Sequence, residues 1–301
     1  MKKSILDEKH FYNEKAAFAY VESIIWKDGK NCPHCGGFEK LYEIKGKSAR
    51  TGLNKCGGCK KQFTVRIGTI FEDSHIPLHK WLQAIFLLSS SKKGISSHQL
   101  HRTLQITYKS AWFLSHRIRE VMKPSGEIEM MGGEGKIIEA DETYIGNKGK
   151  QARGARGWGH KEKVFSLVER GGKVRSHHVQ LTNVKTLLPI LQNSVKKETI
   201  LMTDEARQYK KIGAEFKQHG VVVHSRKEYV RGNVHTNTIE GFFSIFKRGM
   251  KGVYQHCKNN HLHRYLCEFD FRYNTKDNTD SERADVVLAG VRGKRLTYKI
   301  S

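Results

Sequence analysis

The sequence predicts a multi-domain α+β protein in which a small cysteine-rich module and a helical region precede a mixed α/β domain. Three observations support this fold class. Two C-x2-C pairs lie between residues 32 and 59, helical periodicity runs from residue 77 to 122, and short β-branched segments begin after a glycine-rich linker at 123–135. With 301 residues, the chain is long enough for two or three domains.

The first element is an amphipathic helix over residues 10–27, within an N-terminal segment 1–29 that we expect to pack on the following module. The chain begins with basic residues but has no apolar core of a signal peptide. The longest apolar run, residues 81–88, is too short to span a bilayer. We therefore expect a cytoplasmic protein without membrane contact, in which disulfides are rare.

Residues 30–68 form the predicted cysteine-rich module. Cys32 and Cys35 form one C-x2-C pair and Cys56 and Cys59 the second. Each pair brings two thiolates to one ion from a tight turn, so the four sulfurs predict a tetrahedral Zn²⁺ site of the zinc-ribbon type. Because every ligand is sulfur, the site is closed, and we expect the zinc to be structural. Redox-active pairs or free thiols are the alternative.

Residues 69–125 form the predicted helical domain. Segment 77–91 has an apolar stripe, and segment 95–104 gives a second helix capped by Ser96 or Ser97. A short turn leads to a basic third helix, and this arrangement is typical of a helix-turn-helix. A plain three-helix packing unit with a solvated basic face is the alternative. The residues expected to contact DNA are Lys109, His116, Arg117 and Arg119.

The mixed α/β domain is predicted over residues 136–275. Segments 136–146, 163–170 and 173–181 have the composition of strands, and a Gly-Gly turn joins the last two. A helix, a strand that ends in acids at 198–206, another helix, a further strand and a late helix follow. This order, β-β-β-α-β-α-β-α, is that of an RNase H-like domain, in which helices flank a mixed sheet.

Three acids fall where this topology brings side chains together. Asp141 lies on the first strand, Asp204 ends the fourth strand, and Glu240 lies on the late helix. Clustered carboxylates repel one another, and their hard oxygen atoms suit Mg²⁺ or Mn²⁺. Two such ions can support phosphodiester chemistry. Lys247 lies about two helical turns after Glu240 on the same helix face, where its ammonium group suits a phosphate.

Neighbouring residues keep the ligand set open. Asn237 lies one turn before Glu240 and offers a carboxamide oxygen, so it is an alternative or additional ligand, although we favour Glu240. The acids beside the triad are expected to be surface groups: Glu139, Glu142 and Glu205. Three further polar residues are candidates for contacts only: His224, Asn233 and His235.

The charge of the chain indicates a polyanionic partner. Lys and Arg number 54 against 30 Asp and Glu, which gives a formal charge of +24. Nucleic acid suits this charge better than a membrane, because no basic amphipathic anchor stands out. Segment 147–161 is basic and lacks apolar periodicity, so we expect a DNA-binding loop, with a flexible linker as the alternative. Its candidates for phosphate contacts are Lys148, Lys150, Arg153 and Arg156.

Several stretches carry a resemblance to a known family. They include CPHCGG, CGGCKKQFTVRIGTIFEDSHIPLHKW, IEADETYIGNKGK, LMTDEARQY and HTNTIEGFFSIFKRGM. Over roughly residues 12–275, the chain resembles insertion-sequence transposases of the ISXO type, in which a zinc ribbon is followed by a DDE catalytic domain. The combination of these stretches is highly specific for the family, although each stretch alone is not. The remaining residues, 276–301, are expected to be a basic C-terminal tail.

The resemblance implies a transposase that cuts at terminal inverted repeats and joins the DNA ends to a target. It assigns the catalytic acids to Asp141, Asp204 and Glu240, with Lys247 as the accompanying base and with Mg²⁺ or Mn²⁺ as cofactor. The family is also described with Asn at the third position, which keeps Asn237 open. Action on two DNA ends implies a homo-oligomer. The resemblance also implies a bacterial protein that associates with the nucleoid. A domesticated DNA-binding regulator and another RNase H-like nuclease are the alternative functions.

Overall fold

The computed structural model describes residues 4–127, 129–146, 161–226, 229–255 and 257–297. The chain divides into two compact units. The helical unit contains the residues up to Lys123 together with those from Asp277 onward, and the sheet unit contains residues 124–276. The predicted segments 1–29 and 30–68 and all but the last two residues of the predicted segment 69–125 therefore lie in one compact unit.

The helical unit begins with α1 (Glu14–Ile25), whose N-cap Asn13 accepts a hydrogen bond from the backbone N–H of Ala16. The ribbon follows, as the cysteine pattern predicts, and its strands pair antiparallel in sequence order. Cys32, Cys56 and Phe63 form its small buried core. The strands are β1 (Leu41–Glu43), β2 (Asn54–Cys56) and β3 (Gln62–Phe63).

The predicted helices of the middle region are present as α2 (Leu78–Ser90), α3 (Ser97–Leu104) and α4 (Tyr108–Met122). Ser96 caps α3 and Thr107 caps α4. Helix α4 is buried over most of its length. It is therefore a central helix of its unit, and only its first turn presents exposed residues.

The C-terminal residues differ from the expected basic tail. They contain helix α9 (Asp280–Ala289), which starts with a capping box between Thr279 and Glu282. This helix buries Val287 and Leu288 and packs against α2 within the helical unit. The expectation of a tail rested on the basic last residues and overlooked the apolar spacing that precedes them.

The sheet unit is built on one mixed sheet, as expected for an RNase H-like domain. Strand β4 is central, β5 and β6 follow antiparallel on one side, and β7 and β8 lie parallel on the other. The strands are β4 (Ile137–Ile145), β5 (Glu162–Glu169), β6 (Val174–Val179), β7 (Ile200–Asp204) and β8 (Gln218–Val222).

Helices cover both faces of the sheet. Strand residues such as Ile138 and Leu201 pack on one face against α5 (Val184–Ser194) and α6 (Arg207–Gly213). The opposite face packs on α7 (Asn237–Gly249) and α8 (Leu262–Asn274) through a second apolar cluster. A short hairpin, β9 (Val230–Arg231) with β10 (Val234–His235), precedes α7 and has no counterpart in the sequence prediction. None of the helices in the described ranges combines the length and the hydropathy that a membrane span requires.

Candidate active site and metal centre

Asp141 and Asp204 lie on the same face of neighbouring parallel strands. The β4–β7 register pairs Glu139 with Met202, so two residues further along each strand bring Asp141 beside Asp204. Leu201 belongs to the cluster that faces α5 and α6. Because side chains alternate along a strand, Asp204 points to the opposite face, towards α7. The pairing of the two strands ends before this position, which leaves both carboxyl groups at the opening between them.

The environment of Asp141 disfavours its negative charge. Burial, followed by the negative charges of Asp204 and Glu142, raises its pKa from 3.8 to about 8. The Glu142 backbone N–H, which donates to Asp141 Oδ1 at 2.7 Å, opposes this shift, and Glu240 adds to it. Both other acids of the predicted triad therefore lie close enough to raise the pKa of Asp141.

Asp204 is also shifted towards its neutral form. Burial raises its pKa, while the Ala206 backbone N–H, which donates to Asp204 Oδ1 at 3.0 Å, and His224 act in the opposite direction. This geometry fixes one carboxylate oxygen in the turn that follows β7. The other oxygen accepts no hydrogen bond from the described residues.

Helix α7 carries Glu240 and Lys247 along the same opening. The Glu240 side chain is 49% exposed, and its Oε1 accepts a hydrogen bond from Thr236 Oγ1 at 3.0 Å and lies 3.8 Å from His224 Nε2. Lys247 is half-buried, and burial lowers its pKa, whereas the charges of Asp141 and Glu240 raise it. The lysine thus lies within electrostatic range of two of the three acids.

Among the described residues, the three acids do not form a closed ligand cluster. Within the described ranges, only the four ribbon thiols form a group of three or more candidate ligands whose atoms all lie within 4.8 Å of one another. Asn237, the alternative third ligand, is the first residue of α7 and is exposed. The arrangement is an open, acid-lined cleft with a helix along one side.

Glu139 differs from the expected surface acid and is a residue whose role sequence reasoning missed. Its side chain is fully buried, and it accepts hydrogen bonds from the Ile239 backbone N–H and from Thr238 Oγ1, both at 2.9 Å. Arg170 Nε donates to its Oε1 at 2.6 Å. Glu139 therefore anchors the first turn of α7 to β4, two residues before Asp141. This contact spans about 100 residues of chain, so local sequence gives no signal for it.

Arg170 also binds two of the residues that were candidates for polar contacts, Asn233 and His235. Its guanidinium group donates to the backbone oxygens of Asn233 at 2.9 Å and His235 at 2.8 Å. His235 Nδ1 lies 3.3 Å from Glu139 Oε1. Both residues therefore take part in the network that holds the β9–β10 hairpin against the start of α7.

The other two neighbouring acids also have structural contacts. Glu142 is mostly buried, which corrects the expectation of a surface group, whereas the contacts of Glu205 are exposed. Glu142 lies on the opposite face of β4, accepts a hydrogen bond from Gln208 Nε2 at 3.0 Å, and has its pKa raised to about 7 by burial. The Tyr209 hydroxyl lies near the Glu142 carboxyl and lowers its pKa in part. Among the described residues, however, no atom forms a hydrogen bond of acceptable geometry with this hydroxyl. Glu205 accepts hydrogen bonds from the backbone N–H and hydroxyl of Ser225.

The four ribbon cysteines converge on one point. Cys32 Sγ lies 3.7 Å from Cys59 Sγ, and Cys35 Sγ lies 3.7 Å from Cys56 Sγ. A tetrahedral ion with Zn–S bonds of about 2.3 Å separates its sulfur ligands by about 3.8 Å. The spacing of the thiols therefore fits a bound Zn²⁺ and is too long for disulfide bonds.

Three of the four predicted DNA contacts on α4 are buried, which corrects that expectation. His116 is 0%, Arg117 is 5% and Arg119 is 1% exposed, so none can reach a phosphate. Arg117 instead donates to the backbone oxygens of Ile70, Glu72 and Leu296. Helix α4 is enclosed by its unit after the first turn, so basic residues there are buried whichever way they point. Lys109, in the first turn, is exposed.

The predicted contacts of the basic loop, Lys148, Lys150, Arg153 and Arg156, lie outside the described residues.

Comparisons with known proteins agree with this two-part organisation. Residues 131–274 match the ISXO2-like transposase domain, and residues 12–62 match a transposase zinc-ribbon domain. An uncharacterized protein in transposable element ISH50 of Halobacterium salinarum is 27% identical over 282 residues, which span 88% of this chain and 92% of that protein. A chain in the simian T-cell lymphotropic virus intasome complexed with PP2A regulatory subunit B56 gamma shares 15% identity and a TM-score of 0.30, over 57% of this chain and 67% of that one. So low a score carries no structural argument.

Proposed function

The chain belongs to the ISXO2-like transposases of insertion sequences, and from this premise we propose that it cuts DNA at the terminal inverted repeats of its element and joins the ends to target DNA. We further propose that Asp141, Asp204 and Glu240 hold the catalytic metal. One observation carries this assignment: the two aspartates lie in register on one face of neighbouring strands, and Glu240 is close enough to raise the pKa of Asp141.

The residues at the opening suit a hard divalent cation. Their ligand atoms are carboxylate oxygens, which Mg²⁺ and Mn²⁺ prefer. The pKa of Asp141, raised to about 8 by burial and by neighbouring acids, indicates excess negative charge. A bound cation compensates this charge and favours the ionised carboxylates. When bound, the metal supplies Lewis-acid activation of the attacking oxygen and neutralises charge on the leaving oxygen.

The remaining chemistry belongs to side chains on α7 and beside its first turn. Lys247 holds a phosphate oxygen of the DNA beside the reacting group, since its ammonium group lies near Asp141 and Glu240. Thr236 and His224 orient the Glu240 carboxylate through the contacts at 3.0 and 3.8 Å. In cleavage a water oxygen bonds to phosphorus as the 3′ oxygen leaves. In strand transfer the new 3′-hydroxyl attacks a target phosphate in the same way.

The third ligand is assigned to Glu240 rather than Asn237. A carboxylate adds a negative charge that an amide lacks, and Glu240 has a defined hydrogen bond from Thr236. Asn237 remains the alternative, since it precedes Glu240 by one turn of α7. We expect Glu240→Ala to abolish cleavage and Asn237→Ala to retain most of it. The reverse result assigns the third position to Asn237.

The experiment is a cleavage and strand-transfer assay with Mg²⁺ or Mn²⁺ and a duplex that carries the element's terminal sequence. We expect Asp141→Ala, Asp204→Ala and Glu240→Ala to bind this DNA and to leave it uncut. Glu205→Gln is the matched control, because Glu205 neighbours Asp204 but is bonded to Ser225. Cleavage by all three alanine variants overturns the site.

The same assay tests the alternative functions. Specific binding without cleavage by the unaltered protein supports a domesticated regulator, and cleavage without preference for the terminal sequence supports a general nuclease. We also propose that two or more copies assemble on paired DNA ends, because strand transfer needs both ends at one target. Sedimentation of the protein with and without terminal DNA tests this assembly.

A further inference from the structure

A cavity of about 580 Å³ opens in the sheet unit beyond the candidate acids. The end of β4 forms one wall through Ile145 and Gly146, and the opposite wall is Met250 and Lys251 after α7. Its volume falls within the range of about 300–1,000 Å³ that is typical of ligand pockets. The acids and Lys247 lie to one side of it, and none of them lines it.

Two lysines line the cavity, and a third lies next to one of its lining residues. Lys251 and Lys258 line it and are exposed. Lys161 lies beside Gly146, since a Cβ placed on that glycine would come within 3.9 Å of Lys161. No acid lines the cavity among the described residues. The charge of this wall is therefore positive, in contrast with the acid-lined opening beside it.

The cavity and the candidate active site are linked through Lys247. The charges of Lys251 and Lys161 lower the pKa of Lys247, while that of Asp141 raises it. One ammonium group is thus near both the carboxylates and the lysines at the cavity. A DNA strand bound at the acids and running past Lys247 would therefore meet the positive charge of Lys251 at the cavity.

The backbone after α7 shapes this wall. The helix continues as a π-helical turn, Met250–Tyr254, and the chain then reverses at Gln255, a non-glycine residue with a φ of 44°. This reversal brings Lys251 and Lys258, seven residues apart, to the same cavity. Two cations presented across one cavity suit a partner with regularly spaced negative charges.

We propose that this lysine-lined cavity, bounded by Gly146, Lys251 and Lys258, binds phosphates of the DNA strand next to the scissile phosphate. The proposal rests on the proposed function of the neighbouring acids, which places DNA at the opening. DNA fits better than a small anion, because the cavity lies next to the proposed cutting site and two exposed lysines line its volume of about 580 Å³. The cavity supplies affinity and positions the strand without reading sequence.

The first test measures the salt dependence of DNA binding. The zinc-loaded full chain is titrated with a labelled random-sequence duplex, without added divalent metal, and fluorescence anisotropy gives affinity between 50 and 300 mM salt. Each phosphate contact contributes about 0.9 to the slope of log K against log salt. We expect the double variant Lys251→Gln/Lys258→Gln to lose about two units of slope and about tenfold or more in affinity.

The matched control removes the same charge elsewhere in the sheet unit. Lys185 and Lys211 are exposed on α5 and α6, which cover the other face of the sheet. We expect Lys185→Gln/Lys211→Gln to keep the slope of the unaltered protein, and Lys251→Arg/Lys258→Arg to keep it as well. Equal losses in the two glutamine variants overturn the proposal, because they indicate an effect of net charge alone.

A second test locates the DNA by a disulfide cross-link. Cys257 lines the cavity and is half-buried, whereas Cys267, also half-buried, does not line it. In a series of duplexes with the terminal sequence, each duplex carries a disulfide-protected thiol tether on one phosphate, and the position differs from duplex to duplex. The Cys257 thiolate attacks this disulfide, so that a protein–DNA disulfide forms and the protecting thiol leaves. We expect cross-linking at one or two phosphates beside the cleavage position, lost in Cys257→Ser and kept in Cys267→Ser. Cross-linking that persists in Cys257→Ser overturns the proposal. Neither test needs cleavage, so failure here is distinguishable from failure of the proposed function.

Discussion

Replacing Asp141 with Asn should stabilise the metal-free protein while abolishing its proposed chemistry. The Asp141 carboxyl is buried beside Asp204, Glu142 and Glu240, and its pKa is raised to about 8. Asparagine has nearly the same shape and carries no charge. Its Oδ1 can keep the hydrogen bond that the Glu142 backbone N–H donates to Asp141 at 2.7 Å.

The magnitude follows from the shift of the pKa. A carboxyl whose pKa is higher in the folded state contributes stability fully below pH 3.8, and this contribution is lost as the pH rises to about 8. Each pH unit in this window corresponds to about 1.4 kcal/mol. The unfavourable contribution of Asp141 is therefore about 4 kcal/mol at pH 7 and about 2 kcal/mol at pH 5. We expect Asp141→Asn to recover much of this difference.

The assay is chemical denaturation at pH 5, 7 and 8 without divalent ions, followed by far-UV circular dichroism and by hydrogen exchange of β4 and β7. The gain in unfolding free energy should grow with pH. Adding Mg²⁺ should stabilise the unaltered protein and leave the variant unchanged, because only the ionised site binds metal.

Glu139 provides a control of opposite sign on the same strand face. Its carboxylate is buried against Arg170 and the start of α7, so Glu139→Gln should lower stability by about 3–5 kcal/mol. An Asp141→Asn protein less stable than the unaltered protein at pH 8, or changes of stability in the same direction for both substitutions, would contradict the unfavourable charge of Asp141.

Further outcomes are expected for substitutions in the ribbon, in α7 and in α4. Cys56→Ser should lower bound zinc below one equivalent, measured by metal analysis, and melt the ribbon, because a structural tetrahedral site tolerates no missing ligand. Lys247→Ala should slow cleavage by about 10²-fold or more with little change in DNA affinity, and Lys247→Arg should recover part of the rate in the same assay; an unchanged rate removes Lys247 from the site. Arg117→Ala should lower the denaturation midpoint by leaving buried carbonyls unpaired, whereas Lys109→Ala should keep stability and weaken DNA binding, measured by anisotropy.

Local patterns predicted much of the architecture correctly. The spacing of Cys32, Cys35, Cys56 and Cys59 predicted the ribbon because two residues between cysteines set the reach of a tight turn. The β-branched composition of short segments, with a Gly-Gly turn between two of them, predicted the strands of the mixed sheet and their order along the chain. Such features depend on residue types and short spacings, which the sequence displays directly.

Long-range packing decided what residue type alone left open. His116, Arg117 and Arg119 have the composition of a DNA-binding face, yet they lie inside the helical unit, because segments near residues 70 and 296 enclose Arg117. The sequence of the C-terminal residues indicated only their positive charge. Helix α9 packs against α2, and this distant partner is not evident from the local sequence. The lysine-lined cavity likewise joins the end of β4 to residues more than 100 positions later.

Glu139 and Asp141 illustrate the division most clearly. The sequence by itself determined that two acids lie on one face of a strand that leads into the candidate site. Only the tertiary structure decided that Glu139 is neutralised by Arg170 and the start of α7, whereas Asp141 faces Asp204 and Glu240. The physical reason is that the energy of a buried carboxylate depends on the charges and donors around it, and distant segments supply them.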